Sequence, residues 1–107
     1  MNIAKTPDPP YFAVIFTSVL RSKDESYETT AKRMVERSSG YPGFLGIDSA
    51  RTDVGITVCY WKTEEDLLRW KNDTDHLEVQ RKGKSTWYKQ FSVRIARVER
   101  AYNFEAI

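Results

Sequence analysis

The sequence predicts an α+β domain in which helices cover one face of a four-stranded antiparallel sheet. Three observations support this class. A near-continuous run of β-branched and aromatic residues fills Tyr11–Leu20, which is typical of a strand buried on both faces. Residues 42–76 contain a strand, a short turn, a second strand and a capped helix in that order, and residues 87–100 alternate apolar and polar side chains as a long last strand does.

The first helix is predicted from a capping sequence and a helical repeat. Residues 22–25, Ser-Lys-Asp-Glu, match a capping box, in which the hydroxyl and the carboxylate each accept a hydrogen bond from a free backbone amide. Gly40 ends the helix and Pro42 prevents it from resuming. The inner face of the helix carries residues at helical spacing, namely Tyr27, Ala31, Met34, Val35 and Ser38.

The middle of the chain is predicted to be a hairpin followed by a helix. Phe44–Arg51 forms the second strand, an Asp-Val-Gly turn follows, and residues 56–62 return as the third strand. Residues 63–66 form a second capping box before a helix that turns Leu67 and Trp70 inward. Residues 72–75 break this helix and recap a second piece from residue 76 to about residue 84. The order β-α-β-β-α-β is that of the ferredoxin-like fold.

Length and charge limit the classes of protein to consider. A chain of 107 residues forms one domain that buries roughly 65% of its unfolded surface. The first ten residues end in Pro-Asp-Pro-Pro and are expected to be a flexible arm before a domain at residues 11–107. The 17 basic and 15 acidic residues are interspersed, which argues against nucleic acid as a partner. No signal peptide and no membrane span is recognised, so a cytoplasmic protein without a membrane partner is expected.

The two apolar faces of the first strand predict that the chain associates with itself. Phe12 and Val14 point to one face while Ala13 and Ile15 point to the other, but the helices cover only one face. At about 25 cal/mol per Å², covering several hundred Å² of apolar sheet favours association by several kcal/mol, even after the free-energy cost of bringing two chains together. A homodimer with the sheets face to face is the simplest closure. An additional segment or a different chain is the alternative.

Several short stretches, spread over residues 11–104, carry a family resemblance. They are Tyr-Phe-Ala-Val-Ile-Phe-Thr at 11–17, Pro-Gly-Phe-Leu-Gly at 42–46, Tyr-Trp-Lys-Thr at 60–63, Trp70 followed by His76, Gly83, Trp-Tyr at 87–88 and Val-Glu-Arg-Ala-Tyr at 98–102. Together they resemble the antibiotic biosynthesis monooxygenase (ABM) superfamily of dimeric α+β barrels. The resemblance implies a cavity in each subunit, between the sheet and the helices.

The resemblance also implies a chemistry. Some members of this superfamily oxygenate polyphenols without metal or flavin, because a phenolate held in a dry pocket passes an electron to O2 itself. The expected function is a monooxygenase without cofactor that acts on a small electron-rich phenol or hydroquinone-like aromatic. Its partners would be that aromatic molecule, O2 and a second copy of the chain.

Candidate site residues follow from the same resemblance. His76 would accept or share the phenol proton, since an imidazole titrates near pH 6.5. Arg94 would stabilise the anion if it points inward, and Tyr88 would orient the substrate. The pocket walls would be Trp70, Trp61, Trp87 and Thr17. As the only histidine, His76 cannot form a multi-histidine metal site, and no cluster of Cys and carboxylates replaces one.

Other interpretations stay open at this stage. His76 could simply form a hydrogen bond with a helix end. Trp61 and Trp87 could pack at the ends of the barrel or in the dimer interface (the seam between the subunits). Arg94 could lie on a solvent-exposed edge of the sheet. The whole protein could be a ligand-binding or stress-related dimer without catalysis. Haem degradation is disfavoured, because Gln80 stands where that branch of the superfamily has its iron-ligating histidine.

Overall fold

The chain folds in the predicted order of strands and helices. The computed structural model describes residues 2–22 and 25–107, with only the backbone of Thr74 and Asp75. Its elements are β1 (Tyr11–Leu20), α1 (Glu25–Ser38), β2 (Phe44–Arg51), β3 (Gly55–Trp61), α2 (Glu64–Lys71), α3 (Thr74–Lys82), a π-helical turn (Gly83–Trp87) and β4 (Tyr88–Val98). The predicted α+β, ferredoxin-like class is confirmed. The capping box predicted before α1 includes residues 23 and 24, which lie outside the described residues.

The four strands form one antiparallel sheet in the order β2-β3-β1-β4. Residues paired across neighbouring strands share a face, and successive residues along a strand alternate between faces. Even-numbered residues of β1 face the helices, and its odd-numbered residues face away. The surface turned away from the helices is called the open face, and it includes Ala13, Ile15, Thr17 and Val19 of β1, Ile56, Val58 and Tyr60 of β3, and Ser92, Arg94 and Ala96 of β4.

The core lies on the helix side of the sheet, beneath α2. Val14 of β1, Cys59 and Trp61 of β3, and Leu67 and Trp70 of α2 form one buried cluster. Because all five side chains come from three elements, this cluster fixes α2 against the centre of the sheet. The inward orientation predicted for Leu67 and Trp70 is therefore observed.

The start and end of α2 follow from local hydrogen bonds. Thr63 Oγ1 accepts a hydrogen bond from the Asp66 amide at 3.0 Å, which is the N-cap that the sequence predicted. At the other end, the Asn72 amide donates to the Leu68 carbonyl at 3.0 Å. The helical path resumes at Thr74, two residues earlier than predicted. Within the described part of the chain, no helix is long and apolar enough to cross a membrane.

Leu67 and Leu68 form a matched pair for testing the core. Leu67 is 0% exposed whereas Leu68 is 42% exposed. We expect Leu67→Ala to lower the free energy of unfolding by about 3 kcal/mol, through lost burial and a residual cavity, and Leu68→Ala to cost less than about 1 kcal/mol. Urea unfolding measures both. Equal losses for the two variants would contradict the placement of α2.

The N-terminal arm contacts one end of the open face. The Ala4 amide donates to Asp48 Oδ1 at 2.7 Å, and the Tyr60 hydroxyl donates to Asp48 Oδ2 at 2.9 Å. The Thr6 hydroxyl donates to the Tyr11 hydroxyl oxygen at 2.9 Å. The arm therefore covers part of the open face, and its flexibility stays a prediction.

The C-terminal tail, residues 101–107, follows the last strand and falls within the domain predicted at residues 11–107. In the single chain Tyr102 is 95% exposed and Phe104 is 88% exposed. The last strand ends at Val98, and residues 101–107 are exposed in the single chain.

Candidate active site

A cavity of about 320 Å³ lies between the sheet and the helices, a volume within the usual range for small-molecule sites. Its floor is apolar sheet surface, formed mainly by Val14, Phe16, Ile47, Cys59, Phe91 and Val93. The opposite wall is α1, whose cavity-lining side chains include all five that the helical repeat placed on its inner face, Tyr27, Ala31, Met34, Val35 and Ser38.

One end of the cavity is built from an aromatic row that begins in the core. The ring centroids of Trp61 and Trp70 are 5.2 Å apart, and those of Trp70 and His76 are 4.3 Å apart. The Trp70 indole N–H donates to Ser38 Oγ at 2.8 Å, and the Ser38 hydroxyl donates to the Met34 carbonyl at 2.7 Å. Trp70 is thereby fixed to α1 and presents its ring to His76, and both line the cavity.

The turn between α2 and α3 is tied to the C-terminal end of α1. Arg37 Nη2 lies 3.2 Å from Asp73 Oδ2, and the Tyr41 hydroxyl donates to the same carboxylate. This hydrogen bond, with burial as a smaller cause, raises the pKa of Tyr41. Because α3 follows Asp73 directly, these contacts help to hold His76 beside Trp70.

The other end of the cavity is a cluster of phenol and indole rings. Tyr88 pairs with Leu20 at the end of β1, whereas Trp61 pairs with Phe12 near its start, so the two aromatic groups are separated along β1. The rings of Tyr27 and Tyr88 lie 5.6 Å apart at 85°. Burial, and then a hydrogen bond with Tyr27, raises the pKa of Tyr88 above its ordinary value of 10.0.

Tyr88 is thus a neutral hydrogen-bond donor in an apolar wall. Gly83 makes this position of the ring available, because a Cβ at residue 83 would come within 2.7 Å of the Tyr88 ring. Trp87, adjacent in the chain, also lines the cavity, and its indole N–H donates to Ser26 Oγ at 3.1 Å.

Arg51 is a charged residue of this end that sequence reasoning missed. Its Nη2 donates to Ser18 Oγ and, at 3.4 Å, to the Tyr27 hydroxyl oxygen, and the guanidinium lies 5.6 Å from the centroid of the Tyr27 ring. In the antiparallel pairing of β2 with β3, Arg51 lies opposite Gly55. A Cβ at residue 55 would collide with the guanidinium, so the glycine leaves the path of this side chain open.

A signal for Arg51 was present in the sequence. An arginine and a glycine flank the β2–β3 turn symmetrically, so the hairpin places them opposite each other. The predicted hairpin put Gly55 in the turn and began the third strand at residue 56, so this pairing was not recognised. What the hairpin alone could not indicate is the contact with Ser18 and Tyr27, because these residues belong to β1 and α1.

The structure brings together four of the seven predicted site residues. His76, Tyr88, Trp70 and Trp87 line the cavity, whereas Trp61 is buried behind Trp70. The seam interpretation of Trp61 and Trp87 does not hold, because both are buried on the helix side within one chain.

Two predicted site residues lie on the wrong face for this cavity. Thr17 pairs with Ile56 and Ser92, and Arg94 pairs with Ile15. All of these residues belong to the open face, because side chains of one strand alternate. Arg94 therefore does not meet the condition of pointing inward on which its expected role depended, and Arg51 is the arginine bonded to a cavity wall.

The floor of the cavity carries the only cysteine of the sequence, Cys59. This side chain is 7% exposed, and burial raises its pKa from 9.0 to about 12. Among residues 2–22 and 25–107, no three His, Cys, Asp or Glu side chains are grouped so as to hold a metal ion.

The raised pKa makes a prediction about thiol reactivity. Burial leaves little of the reacting thiolate at pH 8 and also keeps the reagent from the sulfur. We expect the folded protein to react with a disulfide reagent such as DTNB at least about 100-fold more slowly than the protein in urea. Equal rates in the two conditions would show that Cys59 is not buried on the floor of the cavity.

The fold and the site are those of a small α+β protein with an apolar cavity between its sheet and its helices. Residues 10–82 match the profile of the family described as antibiotic biosynthesis monooxygenase. The chain belongs to this family, as the sequence resemblance predicted.

One curated relative and two solved structures are similar to this chain. The uncharacterized protein YqjZ of Bacillus subtilis (strain 168) is 44% identical over 105 residues, which span 96% of this chain and 92% of the relative. SnoaB, a cofactor-independent oxygenase from Streptomyces nogalater, superposes with a TM-score of 0.74 at 9% identity, covering 87% of this chain and 97% of SnoaB. PA3566 from Pseudomonas aeruginosa gives a TM-score of 0.69 at 18% identity, covering 90% and 99%. At these identities the two structures show the fold alone.

Proposed function

We propose that the protein is an ABM-type monooxygenase that oxidises a small electron-rich aromatic molecule with O2 and uses no metal or flavin. The observation that carries the proposal is the cavity. Its floor is apolar, and groups able to hold or donate a proton, His76 and Tyr88, both line it. An apolar cavity suits a flat aromatic substrate, and the polar groups at its ends suit a phenol.

The proposed chemistry needs three contributions from the protein. His76 accepts the phenol proton at one end of the cavity, and the neutral Tyr88 hydroxyl donates a hydrogen bond to a second substrate oxygen at the other end. The apolar floor limits the water that reaches the electron-rich ring. The substrate anion then transfers an electron to O2. When a substrate CH2 becomes a carbonyl, one oxygen atom enters the product and the other leaves as water with the two hydrogens.

Arg51 is proposed to position the Tyr27–Tyr88 pair. Its guanidinium bonds the Tyr27 hydroxyl oxygen at 3.4 Å, and Tyr27 in turn bonds Tyr88. We expect Arg51→Lys to lower kcat/KM about 10-fold, because lysine keeps the charge but loses the planar fork that contacts Ser18 and Tyr27 together. Arg94→Lys, on the open face, serves as the control and should retain kcat/KM. If kcat/KM fell for Arg94→Lys and not for Arg51→Lys, the positioning role would belong to Arg94.

A second candidate function is binding of an apolar ligand without catalysis. The observation that favours it is the close ring contact of His76 with Trp70, 4.3 Å between centroids, which suits a structural imidazole as well. Haem degradation is not proposed, because Gln80 lines the cavity where the haem-degrading branch has its histidine.

The proposal includes a homodimer with the open faces together. Apolar side chains such as Ile56, which is half exposed, would be covered in that arrangement. A cytoplasmic location is proposed as well, consistent with one buried thiol and no disulfide.

Oxygen uptake tests the proposed function. The purified protein is incubated with a panel of hydroquinone-like and polyphenolic substrates while O2 is followed with an electrode. Uptake above that of the boiled protein supports a monooxygenase. Quenching of tryptophan fluorescence by the same compounds, with no uptake across the panel, would favour the ligand-binding alternative.

A further inference from the structure

The charged side chains in the cavity wall are lysines. Lys32 of α1 and Lys71 at the end of α2 line the cavity, and His76 adds a positive charge when it is protonated. Of the residues whose side chains the structure describes, no aspartate or glutamate lines it. The whole chain is nearly balanced in charge, with 17 basic and 15 acidic residues, so the excess of positive charge is a local property of the cavity.

Both lysines are available to a ligand. Neither Lys32 nor Lys71 forms an ion pair with a residue whose side chain the structure describes. On α2, the nearby carboxylates of Glu65 and Asp66 are paired with Arg69 instead, at 3.1 Å and 3.4 Å. The positive charge that the two ammonium groups bring to the cavity is therefore not neutralised by these side chains.

The two lysines lie where the cavity opens to solvent. A side chain that lines a cavity and is also exposed marks an opening, and Val35 of α1 does both, with 40% of its surface exposed. Lys32, three residues before Val35 on the same helix, is exposed, and Lys71 is half-buried next to Trp70. Lysine stems can lie along apolar surface while their ammonium groups stay in water. Lys32, Val35 and Lys71 are called the mouth of the cavity.

The mouth suits an anionic group better than the interior does. The floor of the cavity is apolar, and a carboxylate buried there without a partner would be strongly disfavoured. At the mouth a carboxylate stays in contact with water and gains the attraction of two ammonium groups. A ligand with a carboxylate at one end and an apolar ring at the other therefore matches both parts of the site.

We infer that the substrate is an aromatic acid, a phenol or hydroquinone whose carboxylate binds between Lys32 and Lys71 at the mouth. This inference rests on the proposed function and narrows its class of substrate. The ring lies on the apolar floor, and its hydroxyl groups reach His76 and Tyr88. Because the carboxylate takes no part in the reaction, the two lysines bind the ground state and the transition state alike, so they lower KM and leave kcat unchanged.

A matched pair of compounds tests the inference. Hydroquinone carboxylate and hydroquinone carboxamide have the same ring and nearly the same size, but they differ by one negative charge at neutral pH. Quenching of tryptophan fluorescence gives the Kd of each compound. We expect the intact protein to bind the carboxylate about 5- to 20-fold more tightly than the carboxamide, which is the range that two partly exposed ion pairs allow.

Removal of both lysines should abolish this preference. In Lys32→Gln/Lys71→Gln we expect the Kd of the carboxylate to rise to that of the carboxamide, whose own Kd stays unchanged because the rest of the cavity is intact. Lys5→Gln/Lys62→Gln is the matched control, since it removes the same two charges from exposed positions outside the cavity, and it should keep the preference. In oxygen-uptake assays the first double variant should raise KM for the carboxylate by the same factor at constant kcat.

The outcomes separate the class of ligand from the chemistry. Equal affinity of the intact protein for the two compounds, no saturable binding of the carboxylate, or a preference that Lys32→Gln/Lys71→Gln retains would each overturn the inference. Oxygen uptake with the carboxamide would in those cases still support the monooxygenase. A preference that depends on both lysines, with no oxygen uptake from either compound, would support the acid-binding mouth and count against the proposed monooxygenase.

Discussion

Ala31→Phe is expected to lower kcat/KM for an oxidised substrate at least about 100-fold and to weaken ligand binding to a similar extent. Ala31 projects from α1 into the cavity, whose volume is only about 320 Å³. A phenyl ring at this position occupies space that the substrate needs, and even a displacement of about 1 Å from the reactive geometry costs about 100-fold. Steady-state kinetics and fluorescence titration measure the two quantities.

Thr29→Phe is the matched control for this change. Thr29 lies on the same helix, is exposed, and is not among the cavity-lining residues. It should retain both kcat/KM and affinity. If Ala31→Phe retained full activity while remaining folded, the substrate would have to bind elsewhere, and the assignment of the cavity as the active site would be withdrawn.

His76→Ala is expected to lower kcat by about 100- to 10,000-fold, the usual contribution of a positioned general base. Affinity for the substrate should change only a few-fold, because the aromatic wall formed by Trp70 stays in place. Leu77→Ala, at the exposed neighbouring position of α3, is the control. An unchanged kcat together with a lower Tm would indicate that the imidazole only packs against Trp70.

Local sequence rules predicted much of the framework. The bounds of β1 and β2 are those expected from apolar runs and turn residues, because their limits are set by Pro10, Gly40–Pro42 and the Asp-Val-Gly turn. The inner face of α1 follows from spacing alone. Thr63 caps α2 because its hydroxyl reaches an amide three residues away.

Site residues were harder to predict, because they depend on which face of the sheet each strand presents. The alternation within β4 already placed Arg94 on the other face of the sheet from Phe91 and Val93, and the structure follows that alternation. Arg51 of β2 contacts Ser18 of β1 and Tyr27 of α1. To predict such contacts, both the strand register and the position of the helix over the sheet must be known. The hydrogen bond from Trp70 to Ser38 is of the same kind.

Isotope labelling of the product tests the central proposal most directly. The protein is incubated under ¹⁸O2 with the substrate that gives the fastest oxygen uptake, and the product mass is compared with that formed under ¹⁶O2. The proposed monooxygenase adds one labelled oxygen atom per product molecule, and the label should fall to background with Ala31→Phe. A product without the label, or a label that Ala31→Phe leaves undiminished, would contradict oxygenation within this cavity.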